Sequence, residues 1–207
     1  MSALVLPGPA SADERQLQGV LPLREAVAQL TVADENREGY ERDKFKHWID
    51  ADGDGCSTRA EVLLEEAVEA PEITGRCTIT GGLWYSFYDD TYVDNPRSLD
   101  IDHMVPLAEA WDSGTYDWSP ERRRDYANNL DEAVALWAVT GRSNRSKADR
   151  DVREWLPPHE PAVCSYITAW GTVKTRWGLT VDQAEQEMLT ARAADCPNVP
   201  ITTQPVA

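Results

Sequence analysis

Four cysteines, Cys56, Cys77, Cys164 and Cys196, constrain this 207-residue chain more than any other feature. None belongs to a Cys-x-x-Cys pair, which argues against a thiolate zinc site or redox motif and for disulfides in an oxidising compartment. Four cysteines allow three pairings. The sequence-local one, Cys56–Cys77 with Cys164–Cys196, is the favoured choice. Each link then closes a loop of about 20–35 residues and contributes about 3–4 kcal/mol by the loop-entropy argument. The N-terminus agrees with an exported chain. An apolar run, Leu4-Val5-Leu6, precedes Ala10-Ser11-Ala12, a small-residue cleavage pattern. Residues 1–12 are therefore expected to be a residual signal peptide or flexible leader. No stretch approaches the roughly 20 apolar residues of a membrane span.

The length supports one sizeable core, and a content of 42 % hydrophobic and 27 % charged residues is that of a globular chain. A single domain over 13–196 with a loose tail at 197–207 is expected. The net charge of −16 opposes any polyanionic partner. Its distribution softens that objection, because Glu121–Glu154 carries eight basic against seven acidic residues. A locally non-acidic site can meet a phosphate while the remaining surface repels it.

Periodicity and punctuation predict helices over about 16–30, 42–49, 59–68, 119–128, 144–155 and 161–177, the last closed by Gly178. Ser119-Pro120 is a helix start, and Thr180-x-x-Gln183 reads as a capping box for a final helix to about Ala194. Cys77–Thr80 and Leu83–Phe87, separated by Gly81-Gly82, read as a β-hairpin. Short strands are expected at 98–102 and 133–139.

Two segments carry chemistry. Adjacent Asp102 and His103 offer a hard oxygen ligand and a base that titrates near neutrality. Both reach one site only if the chain bends there, as Pro106 allows. About forty residues later, Asn144 offers an amide oxygen, and Lys147 shares its helix face at i+3. One can hold a metal while the other meets phosphate. These are the parts that phosphodiester hydrolysis needs.

The set Asp100-Ile101-Asp102-His103-Met104-Val105-Pro106-Leu107, Ala110-Trp111-x-Ser113-Gly114, Ala127-Asn128-Asn129-Leu130, Asn144-Arg145-Ser146-Lys147-Ala148-Asp149 and Trp155-Leu156-Pro157-Pro158 resembles the HNH, or ββα-metal, nuclease superfamily. The likeness is in particular to secreted actinobacterial members and runs from about Tyr40 to Cys196. The resemblance implies an α+β fold, disulfide-stapled, with a ββα-metal core at about 98–155 embedded in a mainly helical domain. It implies His103 as general base, and Asp102 and Asn144 as metal ligands. Asn128, or its neighbour Asn129, is the implied brace of the base, and Lys147 the implied phosphate contact. Asn144 stands where many members carry His, which favours Mg²⁺ or Mn²⁺ over tight Zn²⁺. The implied activity is a secreted, metal-dependent endonuclease acting as a monomer on nucleic acid, DNA before RNA, without a membrane partner. Arg59 is read as a substrate contact or an ion-pair partner. His47 is read as packing beside Trp48.

A second metal signal lies upstream. Asp50-x-Asp52-x-Asp54-Gly55, with Glu61 beyond, matches an EF-hand loop. Asp50, Asp52, Asp54 and Glu61 would supply side chains, Cys56 its carbonyl, and Thr58 the often water-mediated place. Ca²⁺ there would be structural. The same loop and the acidic charge support an alternative reading, a non-catalytic secreted Ca²⁺-binding or interaction protein on an inactive nuclease scaffold.

Overall fold

Pro22 decides where the first helix begins. Its ring holds φ at −57° and its ψ of 143° is extended, so the residues before it form a strand and helical turns start only at Leu23. The computed structural model describes residues 19–206. The leader expected at 1–12 lies outside the described residues. Strand β1 (Val20–Pro22) leads into helix α1 (Leu23–Ala28), which buries Leu23, Ala26 and Val27.

The helix expected over 42–49 is only a single 3₁₀ turn at Arg42–Lys44. Phe45 leaves helical space, with φ −101° and ψ 93°, and is fully buried against Tyr40, Trp111 and Tyr126. Tertiary burial of that ring outweighs a short helix, which is marginal by itself. After the acidic loop, Ser57 accepts a hydrogen bond from the Ala60 N–H and caps α2 (Thr58–Glu65).

Five short strands follow: β2 (Ala67–Glu69), β3 (Glu72–Thr74), β4 (Thr78–Thr80), β5 (Leu83–Ser86) and β6 (Thr91–Val93). The expected hairpin across Gly81-Gly82 does not form. β4 pairs back with β3, and β5 sits between β2 and β6. Gly81-Gly82 joins two sheets instead of turning within one. A side chain at Gly82 would come within 2.9 Å of Pro71 and 2.7 Å of Trp84, so glycine there serves close backbone packing.

Next comes the segment that carries the motifs. β7 (Leu99–His103) is followed by α3 (Leu107–Asp112) and α4 (Pro120–Ala127), the latter capped by Ser119 as expected. β8 (Leu136–Thr140) returns antiparallel to β7 and runs directly into α5 (Gly141–Lys147). α5 starts earlier and ends earlier than the expected 144–155, because Ala148 takes φ +53° and breaks the helix. Helices α6 (Val163–Trp177) and α7 (Gln183–Asp195) close the domain. Gly178 is the left-handed cap of α6, as its position predicts. α7 is capped by Asp182 rather than Thr180. Val181 bridges Val32 and the Thr180 N–H is donated to the Ser113 carbonyl, so both are held in extended chain.

The tail is not loose as expected. β9 (Pro200–Thr202) pairs with β1, and Ile201 is buried in the core. Cys56–Cys77 and Cys164–Cys196 are the disulfides, with Cα separations of 5.1 and 5.4 Å. The result is one α+β domain of helices and small sheets, and no helix of the described residues is long and apolar enough to cross a membrane.

The β7–β8 ribbon lies between two apolar layers. Leu99, Ile101, Leu136 and Ala138 pack with Val62, Leu63 and Trp84, while Val139 joins the larger core around Tyr166 and Trp170. Side chains finish the outer edge of β8. The Ala138 N–H donates to Glu66 Oε2 at 2.8 Å and the Thr140 N–H to Ser86 Oγ at 3.0 Å. Such plugs deny the edge to another strand.

The Glu66 plug makes stability pH-dependent. Burial pushes its carboxyl up from 4.5 to about 7, with the Ala138 N–H pulling the other way. A raised acid favours the folded state fully below its unfolded value, and that contribution is lost as pH rises through about 7. Glu66→Gln keeps the oxygen for Ala138 and cannot ionise. It is expected to match wild type in urea unfolding near pH 4.5 and to exceed it by about 2–3 kcal/mol near pH 8. An equal difference at both pH values would remove burial of the ionised form as the cause.

Candidate functional site

Neighbouring residues on a strand face opposite sides, and Asp102 and His103 do. Asp102 points toward α5 and the main core, and His103 toward the loop before α2. At His103 the ribbon ends, and a cleft of about 260 Å³ opens there. Its walls include Arg42, Asp102, His103, Asn144, Arg145 and Asp149. The expected bend between them is absent: both are paired within the strand, and both still line the cleft at its end.

His103 Nε2 lies 2.9 Å from the Ala127 carbonyl. A carbonyl only accepts, so Nε2 carries the proton and Nδ1 keeps its lone pair. Nδ1 has no hydrogen-bond partner among the described residues. Burial pushes the ring down to about 3, against the opposing pull of the Ala127 carbonyl, so the imidazole is neutral at ordinary pH rather than titrating near neutrality as expected. The Trp48 ring lies 5.3 Å from it at 31°, and His47 stands against Trp48 at 5.2 Å.

Asn128 holds the frame around the base. Its Oδ1 accepts from the Ile49 N–H at 3.1 Å and from Thr58 Oγ1 at 2.8 Å, and its Nδ2 donates to the carbonyls of Lys46 and Arg124. It thereby ties the end of α4, which carries Ala127, to the 46–49 loop, which carries Trp48. Asn129 instead folds on itself, accepting from the Asp131 N–H at 2.9 Å. Of the two, Asn128 is the one that makes the cross-links.

Asp102 is buried. Its Oδ2 accepts from Tyr88 OH and from Lys147 Nζ, both at 2.5 Å. No donor among the described residues reaches Oδ1. Lys147 has no exposed surface. The remaining protons of its ammonium go to the carbonyls of His103 at 2.8 Å and Met104 at 2.7 Å. The rings of Tyr88, Tyr166 and Trp170 stand 5.5–5.9 Å from Nζ. Burial raises the Asp102 carboxyl and lowers the Lys147 ammonium, while their contact pulls both back. Nζ has three oxygens within 2.8 Å and the Tyr88 hydroxyl at 3.4 Å, a set that an ammonium satisfies by donating throughout. The expectation that Lys147 meets phosphate is thus corrected. The i+3 spacing put it on the face of Asn144, but that face turns into the core at Lys147.

Asn144 stays half-exposed beside the cleft. Its Nδ2 lies 3.4 Å from Asp100 Oδ2, an oxygen shared with Arg145 at 3.2 Å. Donation through Nδ2 leaves the amide oxygen without a donor among the described residues. The residues lining the cleft thus include the carboxylates Asp102 and Asp149, the amide of Asn144, the imidazole of His103 and two arginines. Arg42 and Tyr88 had no sequence signal beyond composition, and Arg145 entered only as a member of the 144–149 motif. Arg59 donates to the carbonyls of Pro96 and Leu99 and forms no ion pair among the described residues.

The acidic loop brings together less than its pattern implies. Ligand oxygens of Asp50, Asp52 and Asp54 lie within 4.8 Å of one another, and Glu61 is not in that group. Each aspartate also closes the loop through backbone N–H groups, from Gly53 and Gly55 to Asp50, Asp54 to Asp52, and Cys56 to Asp54. Thr58 is corrected as a ligand, because its hydroxyl is buried between the Ile49 carbonyl and Asn128. Gly55, at φ +99°, lies against the backbone of Arg76 beside the Cys56–Cys77 link.

Residues 59–192 match the profile of the GmrSD restriction endonuclease C-terminal domain. That span holds Asp102, His103, Asn128, Asn144 and Lys147, and it excludes the three loop aspartates. An uncharacterized secreted protein of Arthroderma benhamiae is 38 % identical over 168 residues, 81 % of this chain and 81 % of that protein. No solved structure matches the chain. The two disulfides and the secreted relative fit one compartment, outside the cytoplasm. This secreted chain belongs to the family of GmrSD restriction endonuclease C-terminal domains, a nuclease family.

Proposed function

We propose that the protein is a metal-dependent endonuclease of the HNH type that hydrolyses phosphodiester bonds of nucleic acid, DNA before RNA. One observation carries the reading. His103, whose Nε2 proton is committed to Ala127, lines one cleft together with Asp102 and Asn144. The succession β7–β8–α5 supports a ββα-metal core within about 98–155.

The residues fit a hard divalent cation. Asp102 Oδ1 and the Asn144 amide oxygen both lack a donor among the described residues, and hard oxygens suit Mg²⁺ or Mn²⁺. When bound, such an ion supplies positive charge against the phosphate oxygens and the leaving oxygen. His103 Nδ1 takes a proton from water as its oxygen bonds to phosphorus and the P–O bond to the leaving sugar oxygen breaks. The Ala127 carbonyl keeps the ring in the tautomer that can do this. Arg42 and Arg145 take the phosphate-binding role that buried Lys147 cannot, giving the acidic molecule a locally receptive wall. Ca²⁺ at the acidic loop would be structural, held by Asp50, Asp52 and Asp54.

The test is digestion of plasmid DNA, single-stranded DNA and RNA by protein beginning at Asp13, with Mg²⁺, Mn²⁺, Ca²⁺ or EDTA. Cleavage with Mg²⁺ or Mn²⁺ that disappears in EDTA is expected. No cleavage of any substrate under any cation would transfer the reading to the non-catalytic Ca²⁺-binding alternative.

A further inference from the structure

We propose that Tyr88 and Lys147 are positioning residues that restrict Asp102 to a single cation-binding oxygen and hold it ready before any cation arrives. The proposal rests on Asp102 being a metal ligand.

A free carboxylate can rotate and bind through one oxygen or both. Asp102 cannot do so cheaply. Its Oδ2 accepts from the Tyr88 hydroxyl and the Lys147 ammonium, each 2.5 Å away. Both donors are fully buried. Turning Oδ2 toward the cleft would strand a phenol and a charge in the core, which is costly. The ammonium is itself anchored to the His103 and Met104 carbonyls, in the same backbone that carries the ligand and the base. Ligand, base and anchor thus share one rigid unit, and Oδ1 is the oxygen left over.

The arrangement has two electrostatic consequences. In the cation-free protein the ammonium balances the buried carboxylate, so the ligand need not rearrange when an ion enters. With an ion present, the same ammonium repels it. A preformed but weak site is the expected outcome, suited to an ion held jointly with substrate phosphate.

The experiment compares wild type, Tyr88→Phe and Asp102→Asn by electron paramagnetic resonance of free Mn²⁺, without substrate. All carry Asp52→Asn and Asp54→Asn, so that the acidic loop does not contribute. Phe fills the space of Tyr88 between the Trp155 and Tyr166 rings, and circular dichroism checks the fold. Tyr88→Phe is expected to weaken Mn²⁺ binding about 10-fold, the usual scale for a residue that orients a metal ligand. In cleavage the loss should show chiefly as a higher Mn²⁺ requirement rather than a lower rate at saturation. Asp102→Asn should lose the cleft's binding altogether. Unchanged or tighter Mn²⁺ binding in Tyr88→Phe, beside a loss in Asp102→Asn, overturns the positioning role and leaves the ligand reading intact. Unchanged binding in Asp102→Asn, or no Mn²⁺ binding by the parent protein, overturns both.

Discussion

His103→Ala is expected to lower the rate of metal-dependent cleavage by about 10²–10⁴-fold, the range that one general base contributes. The fold should survive. The substitution removes one hydrogen bond to the Ala127 carbonyl and the contact with Trp48, and a single such bond is worth about 1 kcal/mol. Rate and melting temperature measured on the same preparation separate the two effects. A mutant with wild-type turnover removes His103 as the base. A mutant that fails to fold shows that His103 is a core residue first, and His103→Gln then repeats the test with a side chain that fills the space. Only an imidazole offers an uncharged basic nitrogen here, so glutamine should restore stability and not rate.

Lys147→Ala is expected to lower stability by about 3–5 kcal/mol, the cost of removing one partner of a buried ion pair. Asp102 would lose its counter-charge, and the carbonyls of His103 and Met104 would lose their donor. For a chain of this size the midpoint should fall by about 10–15 °C. The opposite pattern belongs to a surface phosphate contact, which would keep the midpoint and weaken substrate binding in a salt-sensitive way. Thermal unfolding beside a salt titration of cleavage decides between the two. For Arg42 and Arg145, which line the cleft, the surface pattern is the expected one.

These predictions mark where local sequence stops being informative. Asp102 and His103 are neighbours whatever the fold, and the structure sets both in the wall of one cleft. Asn144 is read from its chemistry and its place in a motif. Lys147 is misread as a surface cation because i+3 spacing gives a helical face and not what covers it. The covering rings are Tyr88, Tyr166 and Trp170, and each arrives from a distant segment. Gly81-Gly82 has the composition of a hairpin turn, yet β4 finds its partner in β3 on the other side. Thr180 has the spacing of a cap, but Asp182 takes the role because the preceding residues are held by Val32 and Ser113.

By itself the sequence determined the helix start at Ser119 and the helix stop at Gly178, and among three possible cysteine pairings it favoured the one the structure holds. Each of these depends on chain connectivity or backbone chemistry over a few residues. The tertiary structure alone decided that the tail is a strand, that Thr58 serves Asn128 rather than a cation, and that Asp102 keeps one oxygen free while Lys147 holds the other. Those outcomes depend on which buried donors and acceptors meet across 45 or more residues of chain, where desolvation makes every unpaired group costly and no local pattern records the partner.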